Sequence, residues 1–535
     1  MTDLTKNPIE DIRSHRHTDG KPNVRRYHQA RWDEPIIFEL SAEGERGVLV
    51  PEVDEEIKRT TKDVYKNLPA SMMRESLPAL PELSQNKVLR HYLRMSQQNL
   101  GADFQVDIGQ GTCTMKYNPK VNEHLARSHK MSELHPLQDQ DTVQGILEIT
   151  HKFEQILKDI SGMSRFSFQP RGGSAAIYAN AAVIRKYHES RGDTDRDEII
   201  TTIFSHPSDA ACAKLAGFKV ITLYPNDDGY PDIEALKAAV SDRTAGLLIT
   251  NPEDTGIFNP DIDEFVRIVH KAGGLCAYDQ ANANGLLGIT RARDAGFDLC
   301  HFNLHKTFST PHACGGPAVG AQGASKELEC FLPGPLIDHD GERYFLNEDM
   351  PHSIGKVSAF YGSASIVMRA YAWVMNLGAE GLREVAEIAV LNNNYLMHEV
   401  LKIKGISAPY AEGKRRIEQV RYSWEELYRD TGIHSEQLGI RMADYGLHYW
   451  TSHHPFVVPE PATLEPTEAY SVEDLDEYVR TLKAVSEEAY TNPAMVRSAP
   501  HNCPIHKIKP EVLDDPERWS VTWRAYCRKL ANQNE

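Results

Sequence analysis

The chain has 535 residues, too many for one hydrophobic core, so two or more domains are expected. Apolar residues make up 41% and charged residues 25%, the balance of a soluble globular protein, and a net charge of −17 argues against a nucleic-acid-binding surface. No apolar run approaches the roughly 18 residues of a membrane span. The opening Met1–Lys6 lacks the apolar segment of a secretory signal. Eight cysteines (113, 212, 276, 300, 314, 330, 503, 527) are scattered without a Cys-x-x-Cys pair. Neither a disulfide framework nor a metal site is expected, and a reducing cytoplasm fits.

Residues 1–100 read as a polar arm followed by a helical extension. Within it, Lys87–Gln98 is an amphipathic helix candidate, with Leu89, Tyr92, Leu93 and Met95 near helical spacing. Residues 101–335 read as a large domain. Val143–Ser161 predicts a long helix with Ile146, Ile149, Phe153, Ile156, Leu157 and Ile160 on one stripe. Strands and helices then alternate. Strands are predicted at Phe166–Gln169, Glu198–Phe204, Val220–Tyr224, Ala245–Thr250 and Gly274–Tyr278. Helices are predicted at Ser174–Ser190, Asp209–Ala216, Pro231–Val240 and Ile262–Ala272. Such alternation implies a largely parallel sheet covered by helices, whose sites gather at the carboxyl ends of the strands. Residues 336–535, with a helix-rich passage at Ser358–Leu401 and Pro-rich segments such as Val457–Pro466, read as a smaller C-terminal domain.

Five features fall at or just after strand ends. Gly172-Gly173-Ser174 opens a helix, where free N–H groups and the helix dipole suit an anion. His206 can stack on a planar ring, and Asn251 can hydrogen-bond a ring hydroxyl. Asp279 can pair with a protonated ring nitrogen, and Lys306 can form a Schiff base. Alone, each could be an ordinary turn, loop residue, cap or surface charge. Their order carries the signal: counted from Gly173, they are spaced by 33, 45, 28 and 27 residues. The set resembles the aspartate-aminotransferase-like family, fold type I of the pyridoxal phosphate enzymes. That resemblance implies an α/β fold with a mostly parallel sheet in a large domain and a smaller C-terminal α/β domain.

A narrower resemblance runs from about residue 34 to about 510. NLHKTFSTPHACGG (303–316) and DQANAN (279–284) resemble segments of the glycine cleavage system P-protein, a glycine dehydrogenase (decarboxylating). PIIFELS (35–41), TCTMKYNPK (112–120), LHPLQ (134–138), SIGKVSAFYG (353–362) and EPTE (465–468) extend the match. The chain is most similar to the separate C-terminal subunit 2 type. The resemblance implies that glycine joins the cofactor, carbon dioxide leaves, and the resulting carbanion attacks the lipoyl disulfide of a carrier protein. Lys306, His206, Asp279 and His305 would then be catalytic. Gly172, Gly173, Ser174, Ser208, Asn251 and Ala281 would complete the cofactor site. Thr112, Thr307, His312 and Arg421 would lie on the substrate side, with Arg415 and Arg416 as further carboxylate anchors or plain surface charges. Fold-type-I enzymes pair subunits at the active site, which implies a dimer, either of like copies or with a partner P-protein subunit.

The departures from the family pattern keep a second reading open. Where the family has Ala-Gly-Ala-His-Gly-Glu, this chain has Gly172-Gly173-Ser174-Ala175-Ala176-Ile177, losing a His and a Glu. The segment after Asn251 gains Glu253 and Asp254, Gln280 replaces a Gly, and Ala313-Cys314 replaces two more. Around 415–437 the chain is longer than expected, an extension that could narrow a lipoyl entrance, and an expected His-Glu pair reads Ile417-Glu418. The alternative is a stand-alone pyridoxal phosphate decarboxylase, lyase or aldolase on a different amino acid. A non-catalytic subunit is the third reading, and the retention of both Lys306 and Asp279 argues against it.

Overall fold

The protein is described by a computed structural model covering residues 24–76, 78, 80–101, 104–109, 116–312, 317–410, 413–449, 457–504, 506–507, 511, 515 and 519–533. It divides into two compact units. One is Gly101–Ser498 with the segment ending at Arg26, and the other is Tyr27–Leu100 with Ala499–Glu535.

In the larger unit, runs of β-branched and aliphatic residues build a seven-stranded sheet. Its strands are β1 (Arg165–Ser167), β2 (Glu198–Thr202), β3 (Lys219–Leu223), β4 (Thr244–Thr250), β5 (Leu275–Asp279), β6 (Leu299–Asn303) and β7 (Gly320–Ala324), in the order β1-β7-β6-β5-β4-β2-β3. β2 through β6 are mutually parallel, and β7 runs antiparallel to both β6 and β1. β4 is apolar without alternation because helices cover both faces of the sheet. Its Leu247 and Ile249 enter one core with Phe153, Phe265 and Trp373, while Leu248 enters the other with Ile177 and Ile184.

The helix Gln144–Ser161 buries Ile146, Leu147, Thr150, Phe153, Glu154 and Leu157, at the helical repeat, and stops at Gly162, whose left-handed backbone caps it. Ile149, Ile156 and Ile160, expected on the same stripe, are only half-buried. Truncating a fully buried ring such as Phe153 to Ala costs about 3–5 kcal/mol. The predicted elements form within one or two residues of their expected bounds. β2 stops at Thr202 rather than Phe204 because Thr202 starts a turn, its backbone carbonyl and Oγ1 both accepting from Ser205 N at 3.2 Å.

β7 has no counterpart in the sequence reading. Its Gly-Ala-Gln-Gly-Ala sequence lacks strand-forming side chains, and the need for small residues comes from across the sheet. A Cβ on Gly323 would sit 2.6 Å from the Phe166 ring. The hairpin β8 (Leu336–His339) with β9 (Tyr344–Asn347) was likewise not foreseen.

A second core gathers Val106 and Ile108 with residues from Leu396 to Val496. It is built around the ribbon of β10 (Val420–Ser423) and β11 (Pro461–Leu464) and the helix Val472–Thr491. The helical passage Ala364–Val400, kinked at Gly378 where φ is +67°, serves both cores: Ile366 to Ala386 pack on the sheet side, Leu396 and Val400 on the ribbon side. In the 415–437 stretch Arg416, Glu418 to Trp424 and Leu427 are buried, and Val420, Tyr422, Trp424 and Leu427 enter this core.

The smaller unit has little interior. Its helix Gln85–Ser96 forms where the periodicity places one, but Leu89, Tyr92 and Leu93 face solvent, and the buried residue is His91, whose Nδ1 lies 3.0 Å from Glu34 Oε1. Every described residue from Arg46 to Leu80 is exposed, including Val48, Leu49, Val50, Ile57 and Tyr65. Phe38 packs against Trp523 and Tyr526, and Gln29 N donates to the Asn502 carbonyl at 3.0 Å, joining the two chain segments of this unit. Among the described residues, no helix is long and apolar enough to cross a membrane.

Candidate active site

The parallel strands end on one edge of the sheet, and the loops leaving them carry the candidate residues. Leaving β1, the chain reaches Gly172 at φ +90° and ψ −177°, a conformation open to glycine. The helix Gly173–Ser190 starts there. A Cβ on Gly173 would meet Asn303 Nδ2 at 2.6 Å, so the end of β6 packs directly on this turn. Ser174 Oγ and Ser208 Oγ lie 2.8 Å apart, which brings two hydroxyls from separate helix starts together.

His206 caps the helix Pro207–Leu215, its Nδ1 accepting from Ser208 N at 3.1 Å, while its own N–H donates to Thr250 Oγ1 at 3.1 Å. Thr250 Oγ1 in turn donates to Asp209 Oδ2 at 3.3 Å. Asp209 is fully buried. Burial first, then the charge of Asp279, pushes its carboxyl well above the usual carboxylate range.

Asp279 closes β5. Its Oδ1 accepts from Ala281 N at 2.8 Å and lies 3.2 Å from His301 Nε2, without the alignment of a hydrogen bond. Its Oδ2 is buried and has no hydrogen-bond partner among the described residues. An orphaned carboxylate oxygen in the interior is costly unless something fills the place. His301, opposite Asp279 in the β5–β6 register, is fully buried. Burial lowers its proton affinity, as does the charge of Lys306, while Asp279 acts the other way.

Lys306 follows β6 on a tight turn, its N–H donating to the Asn303 carbonyl at 3.0 Å. It is half-buried between the buried His305 and Thr307. Thr307 Oγ1 accepts from Ala283 N at 2.9 Å, fastening this turn to the loop beyond Asp279. His305 stands edge-on to His312 at 4.3 Å, and burial, with the charges of Lys306 and His312, drives its pKa down to about 2. It is therefore a neutral imidazole at any working pH. Lys116 Nζ donates to the Thr307 carbonyl at 3.2 Å and to both carboxylate oxygens of Glu468 at 2.8 Å.

Other candidates stand elsewhere. The Asn251 side chain is taken up by the Asn259 backbone, accepting from Asn259 N at 2.8 Å, and its carbonyl accepts from Tyr278 at 2.6 Å. Arg421 is buried in β10 and paired with Asp254 Oδ2 at 3.0 Å, which accounts for one of the two added carboxylates. The other, Glu253, is fully buried and bonded to Thr202 Oγ1, and burial raises its pKa to about 8. Arg416 donates to the Tyr410 carbonyl at 2.6 Å, and Arg415 is exposed. Thr112 and the 313–316 loop lie outside the described residues. A His270–Cys276–Asp298 trio gathers at the opposite end of β5 and β6, where Asp298 Oδ2 already accepts from Cys276 N at 2.8 Å. No disulfide joins any of the six described cysteines to another described residue.

The sequence reading missed His301, Asp209, Lys116 and two buried glutamates, Glu418 and Glu465. Glu465 Oε1 accepts from Asn282 Nδ2 at 2.7 Å and Asn284 Nδ2 at 3.0 Å. The repeated Asn of DQANAN and the Glu of EPTE were visible as motifs; their meeting depends on the fold.

The residues fit pyridoxal phosphate: a lysine amine, a bare buried carboxylate oxygen on the neighbouring strand, a half-buried imidazole, and a glycine turn with two hydroxyls at a helix start. Comparison with known proteins agrees with that fit. Residues 171–319 match the aminotransferase class-V family, and residues 385–503 match the glycine dehydrogenase C-terminal domain. A probable glycine dehydrogenase (decarboxylating) subunit 2 of Pyrococcus abyssi is 45% identical over 511 residues, covering 95% of this chain and 99% of its own length. Two solved structures share the fold. One is a glycine decarboxylase (P-protein) of the glycine cleavage system, with a TM-score of 0.70 at 20% identity over 82% of this chain and all of that one. The other is a NifS-like protein, with a TM-score of 0.54 at 17% identity over 72% of this chain and 99% of that one. The chain belongs to the glycine dehydrogenase (decarboxylating) subunit 2 family.

Proposed function

We propose that this protein is the cofactor-bearing subunit of a glycine decarboxylase, releasing carbon dioxide from glycine and passing the aminomethyl group to a lipoyl carrier. The observation that carries the reading is the bare, buried Oδ2 of Asp279 on the strand beside the one that leads to Lys306. When bound, pyridoxal phosphate draws off the electrons left on the α-carbon as the carboxylate departs.

Lys306 supplies the amine that holds the cofactor and moves a proton at the α-carbon. Asp279 Oδ2 would accept the cofactor's ring N–H, and Ala281 N fixes the rotamer that presents it. His206, held by its bonds to Ser208 N and Thr250 Oγ1, would stack its ring on the cofactor. The 172–174 backbone and the hydroxyls of Ser174 and Ser208 hold the phosphate. His305, kept neutral, can donate or accept without carrying charge, and with Thr307 and His312 it lines the glycine side. Asn251 acts through the backbone it orders, and Arg421 through Asp254.

The exposed apolar residues of the smaller unit support a protein partner, either a second P-protein subunit or a second copy of the chain. The absence of disulfides and of a spanning helix among the described residues supports a cytoplasmic setting. The test is a visible absorbance titration of the purified holoenzyme with a panel of amino acids, followed by glycine–bicarbonate carboxyl exchange. A spectral change with glycine and exchange stimulated by lipoylated carrier are expected. Silence with glycine and a change with another amino acid would overturn the reading.

A further inference from the structure

We propose that Glu418 and Glu465 act together as a positioning unit, two buried carboxyl groups holding one proton between them and so presenting one net negative charge beside Lys306. The inference deepens the reading of Lys306 as the cofactor-bearing amine and rests on it.

The geometry begins with the ribbon of the second core. In the antiparallel β10–β11 register Val420 pairs with Leu464, so Glu418 and Glu465 leave the ribbon at the same end. Both are about 2% exposed. Glu465 Oε1 is held by Asn282 and Asn284, at 2.7 and 3.0 Å. Glu418 Oε2 lies against Gly285, where an added Cβ would come within 2.9 Å of it. The two carboxyls therefore converge on Asn282–Gly285, the loop that leaves Asp279 and is fastened at Ala283 to Thr307. Among the described residues, the Oε2 of each is buried without a hydrogen-bond partner.

Two carboxylates cannot both stay charged in such a place, because burial and mutual repulsion act in the same direction. Burial, then the charge of Glu465, holds Glu418 well above the carboxylate range, while burial raises Glu465 to about 7 against the opposing pull of its two Asn donors, Lys306 and Lys116. Among the described residues, charged and polar groups face the pair from several elements. The turn after β6 offers Lys306. The segment before residue 120 offers Lys116, itself bound to Glu468. β5 offers the buried phenol of Tyr278, whose proton affinity burial and Glu418 both raise. The Ala364–Val400 passage offers Val390, close to Gly285, and Asn393, which donates to the Ile417 carbonyl at 2.9 Å. One shared proton leaves a charge of −1 to balance the lysine side, whereas two ionised carboxylates or none would shift its proton affinity in opposite directions.

This arithmetic separates a charge-setting pair from mere packing. Removing one carboxyl lets the survivor ionise and keeps the charge at −1; removing both takes it to zero. The experiment is a pH titration of the visible absorbance of the holoenzyme in wild type, Glu418→Gln, Glu465→Gln and the double variant. The single variants should keep the wild-type midpoint, and the double variant should move it down by about one unit or more. A double variant that binds cofactor with the wild-type midpoint would overturn the proposal. Should the double variant fail to fold, infrared difference spectra of the single variants at pH 8 decide instead. Each should lose the same protonated-carboxyl band that the wild type shows, and retention of that band in both would overturn the shared proton. Failure of the parent reading looks different: wild type would then show no visible band dependent on Lys306.

Discussion

The two compact units use apolar residues in opposite ways. In Gly101–Ser498 the large hydrophobic side chains fill cores on both faces of the sheet and around the ribbon, and even polar groups such as Asp279, His301 and Glu465 are enclosed. In Tyr27–Leu100 the same residue types lie open, from Trp32 and Leu49 to Leu89 and Leu93. The first unit is stabilised by its own interior, while the second leaves its apolar side chains open. On the function proposed above, chemistry and assembly belong to separate segments, and variants in each can test them apart.

The largest effect is expected at the chemical end. Lys306→Ala should abolish the cofactor's lysine-dependent visible band and all glycine–bicarbonate exchange, while circular dichroism stays that of the wild type. A band persisting at its usual position would refute the assignment.

Gly173→Val tests the packing that shapes the anion turn. Its side chain would collide with Asn303, so cofactor affinity should fall tenfold or more, about 1.4 kcal/mol or greater, by equilibrium dialysis. Unchanged affinity would mean that the turn does not bear on the phosphate.

Glu253→Gln probes the interior through pH. The carboxyl is raised in the fold to about 8 by burial, so its contribution to stability is present below its unfolded value and is lost as pH rises through about 8. The melting temperature of the wild type should therefore decline between pH 5 and pH 8 more steeply than that of the variant. The Gln side chain retains the capacity to bond Thr202 Oγ1. Parallel curves would show that Glu253 is ionised throughout.

The smallest effect on the isolated chain comes from the open surface. Leu89→Ser with Leu93→Ser should leave the melting temperature nearly unchanged, since both residues face solvent. Sedimentation should nonetheless show weakened association with the partner subunit or second copy. A variant that associates as the wild type does would move the interface elsewhere.

The order of strands and helices from Val143 to Asp279 was legible because each strand is a short apolar run and each helix buries a 3.6-residue stripe. Both are local patterns. So was the candidate site's skeleton, because parallel strands deliver their ends to one edge and the spacing of Gly173, His206, Asn251, Asp279 and Lys306 follows the strand–helix repeat. Asn251 illustrates the limit: its place at a strand end was visible, but its side chain turns to the Asn259 backbone, a choice made by the cavity around it.

The sequence alone, then, determined the local elements and the residues that line the sheet edge, since periodicity and turn chemistry act over a few residues. Only the tertiary structure decided what required distant segments to meet. β7 became a strand because Phe166 demanded small residues opposite it. The helix at Gln85–Ser96 showed its apolar side outward because its unit has little core to receive it. Glu418 and Glu465 came to converge on Asn282–Gly285 because the register of a ribbon formed far along the chain placed them there. Burial, which sets the protonation of such groups, is a property of the assembled interior and has no signature in any local stretch of sequence.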